Sequence, residues 1–429
     1  MKKRNWFQKR PAPPQKTETK PAAPQKAERR QPEAFDFAPL FRSAASDPIW
    51  QDRIFHDGGS GWSAESDYFV AEENRNRCYV RYYEYRCHNS HGTDVDEYLT
   101  YSKEETLREG LEQYADRLQP EHVTALRAAA DAVDAAETAC RACLLRFYPA
   151  SEFRKLLSLS ARSCVFQMIH PIYRDCVLKV STCLREQRHE AELLRKHLQS
   201  AERPDRIMPV LDWKCIDPAS GDEVVFLTIL PLAKTCLECR EEDPDLSYRP
   251  QYRASLDDPG PLCESESCLS ESRVESLGVQ MADALRGLHR LGFAHLDVKP
   301  ENFFVLPDDA GEPRWSLGDL DSARELRCAH TGRRSMTRLF MPPERGGDPC
   351  AADVYAWGVS MGLLALHCGV FRTQPEEILK KIREHAQYRL QRAGRESDVR
   401  FYQAILRAVD PDPARRFRNG AELYAALTE

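Results

Sequence analysis

The segment His295-Leu-Asp-Val-Lys-Pro-Glu-Asn302 puts a carboxylate, an ammonium group and an amide oxygen on one short stretch of chain. That set suits transfer of a phosphoryl group to a hydroxyl. The reaction asks little covalent help of a protein. The acceptor must be positioned, its proton accepted, and the phosphate charge neutralised with the help of a metal. Asp297 is the group to take the hydroxyl proton, and Lys299 can neutralise the transferring phosphate. Asn302 offers an oxygen to Mg²⁺, a hard cation that favours oxygen ligands. Downstream, Ser316-Leu-Gly-Asp-Leu-Asp321 provides Asp319 as the principal metal carboxylate.

These residues need a scaffold, and the text around them changes character from about residue 153. Short apolar runs come first: CVFQMI, CVLKV and EVVFLTILPL read as strands. ESLGVQMADALRGLHRL, VYAWGVSMGLLAL and RNGAELYAAL follow with helical spacing. A strand-rich small lobe followed by a helical large lobe is a bilobal α+β plan over 153–429. Residues 240–272 interrupt it with acidic, Pro-containing text that reads as a long inserted loop.

Residues 34–150 read as a small α+β module. The run RCYVRYYEYRC (77–87) alternates and is rich in aromatics, which predicts an exposed-edge or half-buried strand, and HNSHGTD after it predicts a turn. Leu107, Leu111, Tyr114 and Leu118 recur at helical spacing. A second helix is expected after Pro120, with Val123, Leu126, Ala130, Val133, Cys140, Leu144 and Phe147 on one stripe. No catalytic constellation occurs here, so the module reads as a packing, regulatory or docking element. Residues 1–33 form a basic leader with six prolines and ten Lys/Arg, too poor in apolar side chains to fold. It could dock on an acidic partner or a lipid surface.

The chemistry-bearing pieces together resemble the eukaryotic-type serine/threonine protein kinases. HLDVKPEN is similar to that family's catalytic loop. CVLKV resembles the strand that carries the phosphate-binding lysine, here Lys179. HEAELLRKHL resembles the helix whose glutamate pairs with that lysine, here Glu190, with Glu186 and Glu192 as alternatives. Residues 337–344 resemble the end of the activation loop, and the stretch beginning at Asp353 resembles the central large-lobe helix, whose aspartate holds the catalytic loop's backbone. DPARRF resembles the late segment in which Arg416 pairs with Glu344. The resemblance implies a kinase-like bilobal fold, ATP and Mg²⁺ as cofactors, and a protein Ser/Thr hydroxyl as acceptor. Lys299 and Thr337 fit the serine/threonine subgroup, Thr337 as a residue that holds Asp297 and Lys299 in place. Val165 and Val177 would pack on one face of adenine and Phe304 on the other, with Thr228 controlling the pocket behind.

Several positions depart from the family pattern. Its glycine-rich phosphate loop is represented by Ser158-Leu-Ser160-Ala-Arg-Ser163-Cys-Val165, with serine at each glycine position. Serine hydroxyls can donate to phosphate, but they do not share glycine's tolerance of positive φ. Leu296 stands where an arginine usually precedes the catalytic aspartate, so activity is not expected to depend on reading an activation-loop phosphate through that residue. Asp321 replaces the glycine two residues after the metal aspartate, which adds a carboxylate near the metal. Pro231 falls in the presumed hinge and removes a backbone donor. The reading is therefore an ATP-dependent protein kinase. The alternatives are a pseudokinase that acts as a binding scaffold and a kinase for a non-protein substrate.

Composition narrows the setting. Lys+Arg total 61 against 67 Asp+Glu, a net charge of −6, which gives no global pull toward nucleic acid. The longest apolar run, near Val224–Ala233, is far short of the ~20 residues a membrane helix needs. No apolar stretch follows the basic start, so the fifteen cysteines are expected as reduced thiols of a cytoplasmic protein. Cys236, Cys239, Cys263 and Cys268 have spacing that a zinc site could use, but free thiols are the reading adopted.

Overall fold

Strands dominate the earlier part of the chain and helices the later part in the computed structural model. It describes residues 51–57, 62–70, 77–87, 95–159, 162–217, 221–233, 235–236, 271–306, 314–327, 338–344, 347–366 and 375–429. The basic leader and nearly all of the acidic insert lie outside the described residues.

Strands β1 (Gln51–Asp57), β2 (Trp62–Val70), β3 (Arg77–Cys87) and β4 (Val95–Thr106) form an antiparallel sheet in the order β1-β2-β3-β4. The aromatic run is therefore not an edge: β3 is bonded to β2 on one side and to β4 on the other. Thr106 then ends the strand and caps helix α1 (Leu107–Tyr114). Its hydroxyl accepts from the Glu109 N–H at 3.2 Å, while Glu109 accepts from the Thr106 N–H at 2.8 Å. Helix α2 (Pro120–Phe147) starts on Pro120, where the missing N–H would have had no helical partner. Leu107, Leu111, Tyr114 and Leu118 are all buried, as their spacing predicts, and so are Leu126, Ala130, Val133, Cys140 and Leu144 on α2. The last turns of α2 lie against the next sheet. Arg141 donates to the carbonyls of Phe153 and Arg154, and Lys214 donates to the Phe147 carbonyl at 3.0 Å.

The second sheet contains β5 (Glu152–Leu159), β6 (Ser163–His170), β7 (Arg174–Leu184), β8 (Asp212–Ile216) and β9 (Glu223–Pro231), all antiparallel, in the order β5-β6-β7-β9-β8. Helix α3 (Arg188–Gln199) follows β7 and buries Leu194, Arg195 and Leu198. The apolar run of β9 suits a strand paired on both sides, by β7 and β8. Direct cross-strand partners share a face of a sheet. One such row reads Ser158, Val165, Lys179, Thr228 and Trp213, from β5 across to β8.

The later part is built on α4 (Glu271–Arg290) and α5 (Pro349–Ala365), with α6 (Pro375–Arg392), α7 (Glu396–Ala408) and α8 (Gly420–Thr428) around them. Helix α5 is apolar all round and every residue except Ala351 is buried, which marks it as the centre of this lobe. Short strands tie the functional loops to that core. β10 (Thr235–Cys236) pairs with β12 (Phe303–Leu306), which pairs with β13 (Arg314–Leu317), while β11 (Phe293–Ala294) pairs with β14 (Arg324–Glu325). A sheet-rich part is thus followed by a helical part, the bilobal α+β order expected from the sequence. No helix among the described residues is long and apolar enough to cross a membrane.

Candidate active site

The loop bearing Asp297 is held from below by α5. Asp353, fully buried, accepts the main-chain N–H of His295 at 2.6 Å and that of Leu296 at 2.7 Å. His289 approaches the same carboxylate with Nε2 at 3.1 Å, while its Nδ1 accepts from the Gly420 N–H at 3.0 Å. The Gly420 bond assigns the proton to Nε2, so His289 is a third donor to Asp353. With its N–H committed in this way, Leu296 takes a left-handed φ of 62°, a conformation that costs a bulky residue free energy.

His295 joins this loop to the strand that carries Asp319. Its Nδ1 accepts from the Asp297 N–H at 3.2 Å, which leaves Nε2–H to donate to the Gly318 carbonyl at 2.9 Å. Gly318 in turn donates its N–H to the Asn302 carbonyl at 2.9 Å. Bonded on both sides, Gly318 sets the position of Asp319 relative to Asp297. It also has no room for a side chain, because a Cβ there would lie 2.8 Å from the Phe304 ring. Asp319 itself sits in the left-handed region at φ 56°, ψ 65°.

The candidate groups converge on that frame. Lys299 Nζ lies 3.1 Å from Asp297 Oδ2. Burial opposes the charge on Lys299, but the Asp297 and Glu301 carboxylates outweigh it and raise its pKa. The Asn302 amide nitrogen donates to the Asp297 carbonyl at 2.7 Å, leaving its oxygen as the atom able to serve a metal. Burial pushes the Asp319 carboxyl up, but the Lys179 ammonium outweighs it and holds the carboxyl below its ordinary range.

Lys179 is where the expectation and the structure part. Its Nζ pairs with Asp319 and, at 2.8 Å, with Asp321 Oδ2. Burial alone would lower its pKa, but these carboxylates overcome that and hold it above the usual ammonium value. The expected Lys179–Glu190 pair is not formed. Glu190 Oε1 accepts the Glu325 main-chain N–H instead, because Glu190 lies in the first turn of α3 and faces β14. The α3 residue turned toward the lysine is Arg195, whose side chain is only 9% exposed. Arg195 donates from Nε to Thr228 Oγ1 at 3.1 Å and from a terminal nitrogen to Asp321 Oδ1 at 3.3 Å, and its guanidinium stacks 4.0 Å from the Phe226 ring centre. Sequence reasoning missed Arg195. The signal was a charged residue beside Leu194 and Leu198 on the buried stripe of α3, matched by a new carboxylate at Asp321.

The remaining expected residues fall as follows. Val165 and Thr228 are the direct cross-strand neighbours of Lys179, on either side of it. Val177 is buried two residues before Lys179, and Phe304 is half-buried on β12. Ser158 opposes Val165 and Ser163 opposes Ser181, while Ser160 lies outside the described residues, as does Thr337. Pro231 is the last residue of β9, opposite Cys176. Glu344 and Arg416 form the expected fork, with contacts of 2.6 and 3.2 Å. Of the cysteines with zinc-like spacing, Cys239, Cys263 and Cys268 lie outside the described residues.

Residues 256–417 match the profile of the protein kinase domain. The chain is similar to the serine/threonine-protein kinase PknK of Mycobacterium bovis, 34% identical over 163 residues, which is 36% of this chain and 14% of that protein. It is 26% identical over 224 residues to the serine/threonine-protein kinase US3 of Human herpesvirus 1, covering 50% of this chain and 38% of that one. A probable serine/threonine-protein kinase of Clostridium acetobutylicum is 24% identical over 171 residues, 39% of this chain and 26% of that protein. The matched region thus spans well under half the length of each of these relatives.

Proposed function

We propose that this chain, whose residues 256–417 match the protein kinase domain, transfers the γ-phosphoryl group of ATP to a serine or threonine hydroxyl of a protein. The observation that carries the reading is the single frame that brings Lys179, Asp297, Asn302 and Asp319 together. Lys179 meets Asp319 across 140 residues of sequence, and the His295–Gly318–Asn302 bonds lock the Asp297 loop to the Asp319 strand.

The donor set fits Mg-ATP. Asp319 offers a carboxylate and Asn302 an amide oxygen, both hard donors that suit Mg²⁺, and a buried lysine stands beside them for phosphate. When bound, Mg²⁺ supplies charge neutralisation on the phosphates. The chain's own residues do the rest. Lys179 orients the nucleotide phosphates from the sheet. Asp297, held by the His295 and Asn302 bonds to its backbone, takes the acceptor hydroxyl's proton, while Lys299, 3.1 Å from that carboxylate, faces the transferring charge. Val165, Val177 and Phe304 supply apolar surface for the base, Thr228 closes the space behind it, and Ser158, Ser160 and Ser163 offer hydroxyls where the phosphate loop would lie. Residues 34–150 and the leader are proposed as docking elements for a partner.

The test is transfer of label from [γ-³²P]ATP to a generic basic protein, with and without Mg²⁺, by the full chain and by Asp297→Ala. Mg-dependent transfer that Asp297→Ala abolishes supports the enzyme. A chain that shows no thermal shift with Mg-ATP and transfers no label is a binding scaffold instead.

A further inference from the structure

We propose that Asp321 is the positioning residue for Lys179, shared with Arg195, and that it does the work the resemblance assigned to a glutamate on helix α3. This rests on the proposed phosphotransfer reading. Helix α3 presents Arg195 to the site, and a guanidinium cannot serve as counter-charge to an ammonium. Two cations brought together by the fold, Arg195 buried and Lys179 nearly so, need a common anion, since an unpaired buried charge is strongly destabilising. Asp321 fills that role with both oxygens. Oδ2 lies 2.8 Å from Lys179 Nζ, and Oδ1 accepts from Arg195 at 3.3 Å and from Ser181 Oγ at 3.3 Å. Ser181 is two residues beyond Lys179 on β7, hence on the same face of the strand.

The substitutions explain one another. Glycine at 321 would leave Lys179 with only Asp319, the proposed metal ligand, and would remove the carboxylate that Arg195 bonds. With aspartate there, Lys179 retains a partner that is not needed for metal. The exchange also changes what α3 is tied to. In place of a bond to the lysine, α3 and its N-cap residue Gln187 meet the segment after Asp319 at three points. Arg195 bonds Asp321, Glu190 accepts the Glu325 N–H, and Gln187 Oε1 accepts from Arg324 at 2.9 Å. The position of α3 is thereby set by residues 321–325.

Two double-mutant cycles in thermal unfolding test this without nucleotide: Lys179→Met with Asp321→Asn, and Arg195→Met with Asp321→Asn. The expected result is that each double variant melts no lower than its worse single variant, because the pair is lost only once. Additive shifts in either cycle overturn the proposal. A third arm restores a helix carboxylate with Arg195→Glu and Asp321→Gly together. Asp321→Gly alone is expected to weaken Mg-ATP binding by about tenfold, and the combined variant to recover most of it. Full binding by Asp321→Gly, or no recovery in the combined variant, overturns the role for nucleotide. Coupled cycles in a chain that binds no Mg-ATP keep Asp321 as the partner of both cations and overturn the phosphotransfer reading.

Discussion

Replacing Asp353 by alanine strips the loop that carries Asp297 of its support. The carboxylate accepts the main-chain N–H groups of His295 and Leu296 at 2.6 and 2.7 Å, with His289 as a third donor at 3.1 Å. His295 and Leu296 are 0% and 2% exposed, so water cannot take over. Each buried N–H left without an acceptor costs about 1–3 kcal/mol, and two therefore about 2–6 kcal/mol. Removing a buried carboxylate also relieves its desolvation, which brings the expectation to about 2–4 kcal/mol. At about 2–4 °C per kcal/mol for a domain of this size, Asp353→Ala should lower the midpoint by about 4–16 °C. Tryptophan fluorescence can follow this, since Trp357 is buried one turn along the same helix. Asp353→Asn keeps one acceptor oxygen and should lose less. Phosphotransfer should fall by about 100-fold in Asp353→Ala, the size expected when a positioned group moves by about an ångström. A midpoint within 1 °C of wild type, or an asparagine variant less stable than the alanine one, would refute the reasoning.

Three further outcomes follow from the same structure. Arg416→Lys should destabilise the helical lobe by about 1–3 kcal/mol in urea unfolding, because an ammonium cannot replace the two-pronged contact with Glu344 and the bond to the Asp410 carbonyl. Burial raises the pKa of Glu190 above 4.5, so the folded chain holds that proton more tightly than the unfolded chain, and wild-type stability falls as pH rises through that interval. Glu190→Gln removes this term while keeping the oxygen that accepts the Glu325 N–H; its midpoint relative to wild type should climb between pH 4 and pH 7 and then level off. A difference that does not change with pH counts against a buried carboxyl there. Gly420→Ala should cost about 1–3 kcal/mol in thermal unfolding, since the new Cβ would meet the backbone of α4 at Leu285 and Arg286.

Much of this was legible from residue types and spacing. Apolar character located α1 and α2 and three strands of the second sheet, β6, β7 and β9, because burial leaves its mark on the chain, while β5 and β8 went unread. The Pro120 start and the all-round apolar character of α5 were equally visible. The strand at 77–87 formed as read, but of its two readings the edge position fails, since alternation reports faces and says nothing about neighbours, and β3 is interior to its sheet. In the site, the Asp297–Asn302 segment, Asp319 and the Glu344–Arg416 fork were readable in order along the chain. Asp353's hold on His295 and Leu296 was expected, while the contribution of His289 was not, because it depends on a bond from Gly420 across 131 residues.

The sequence by itself determined which groups are available: a carboxylate at Asp297, oxygen donors at Asn302 and Asp319, a lysine on a strand, and an order of strands before helices. It determined these because chemistry and apolar period belong to residues and short windows. The tertiary structure alone decided which charges meet. Glu190 and Arg195 lie on the same short helix, and a side chain's partner depends on which way the helix turns when it packs. Its burial of Leu194 and Leu198 carried Arg195 inward and left Glu190 against β14. Asp321, 142 residues beyond Lys179 in the chain, then became the lysine's partner because folding placed its carboxylate 2.8 Å from the ammonium.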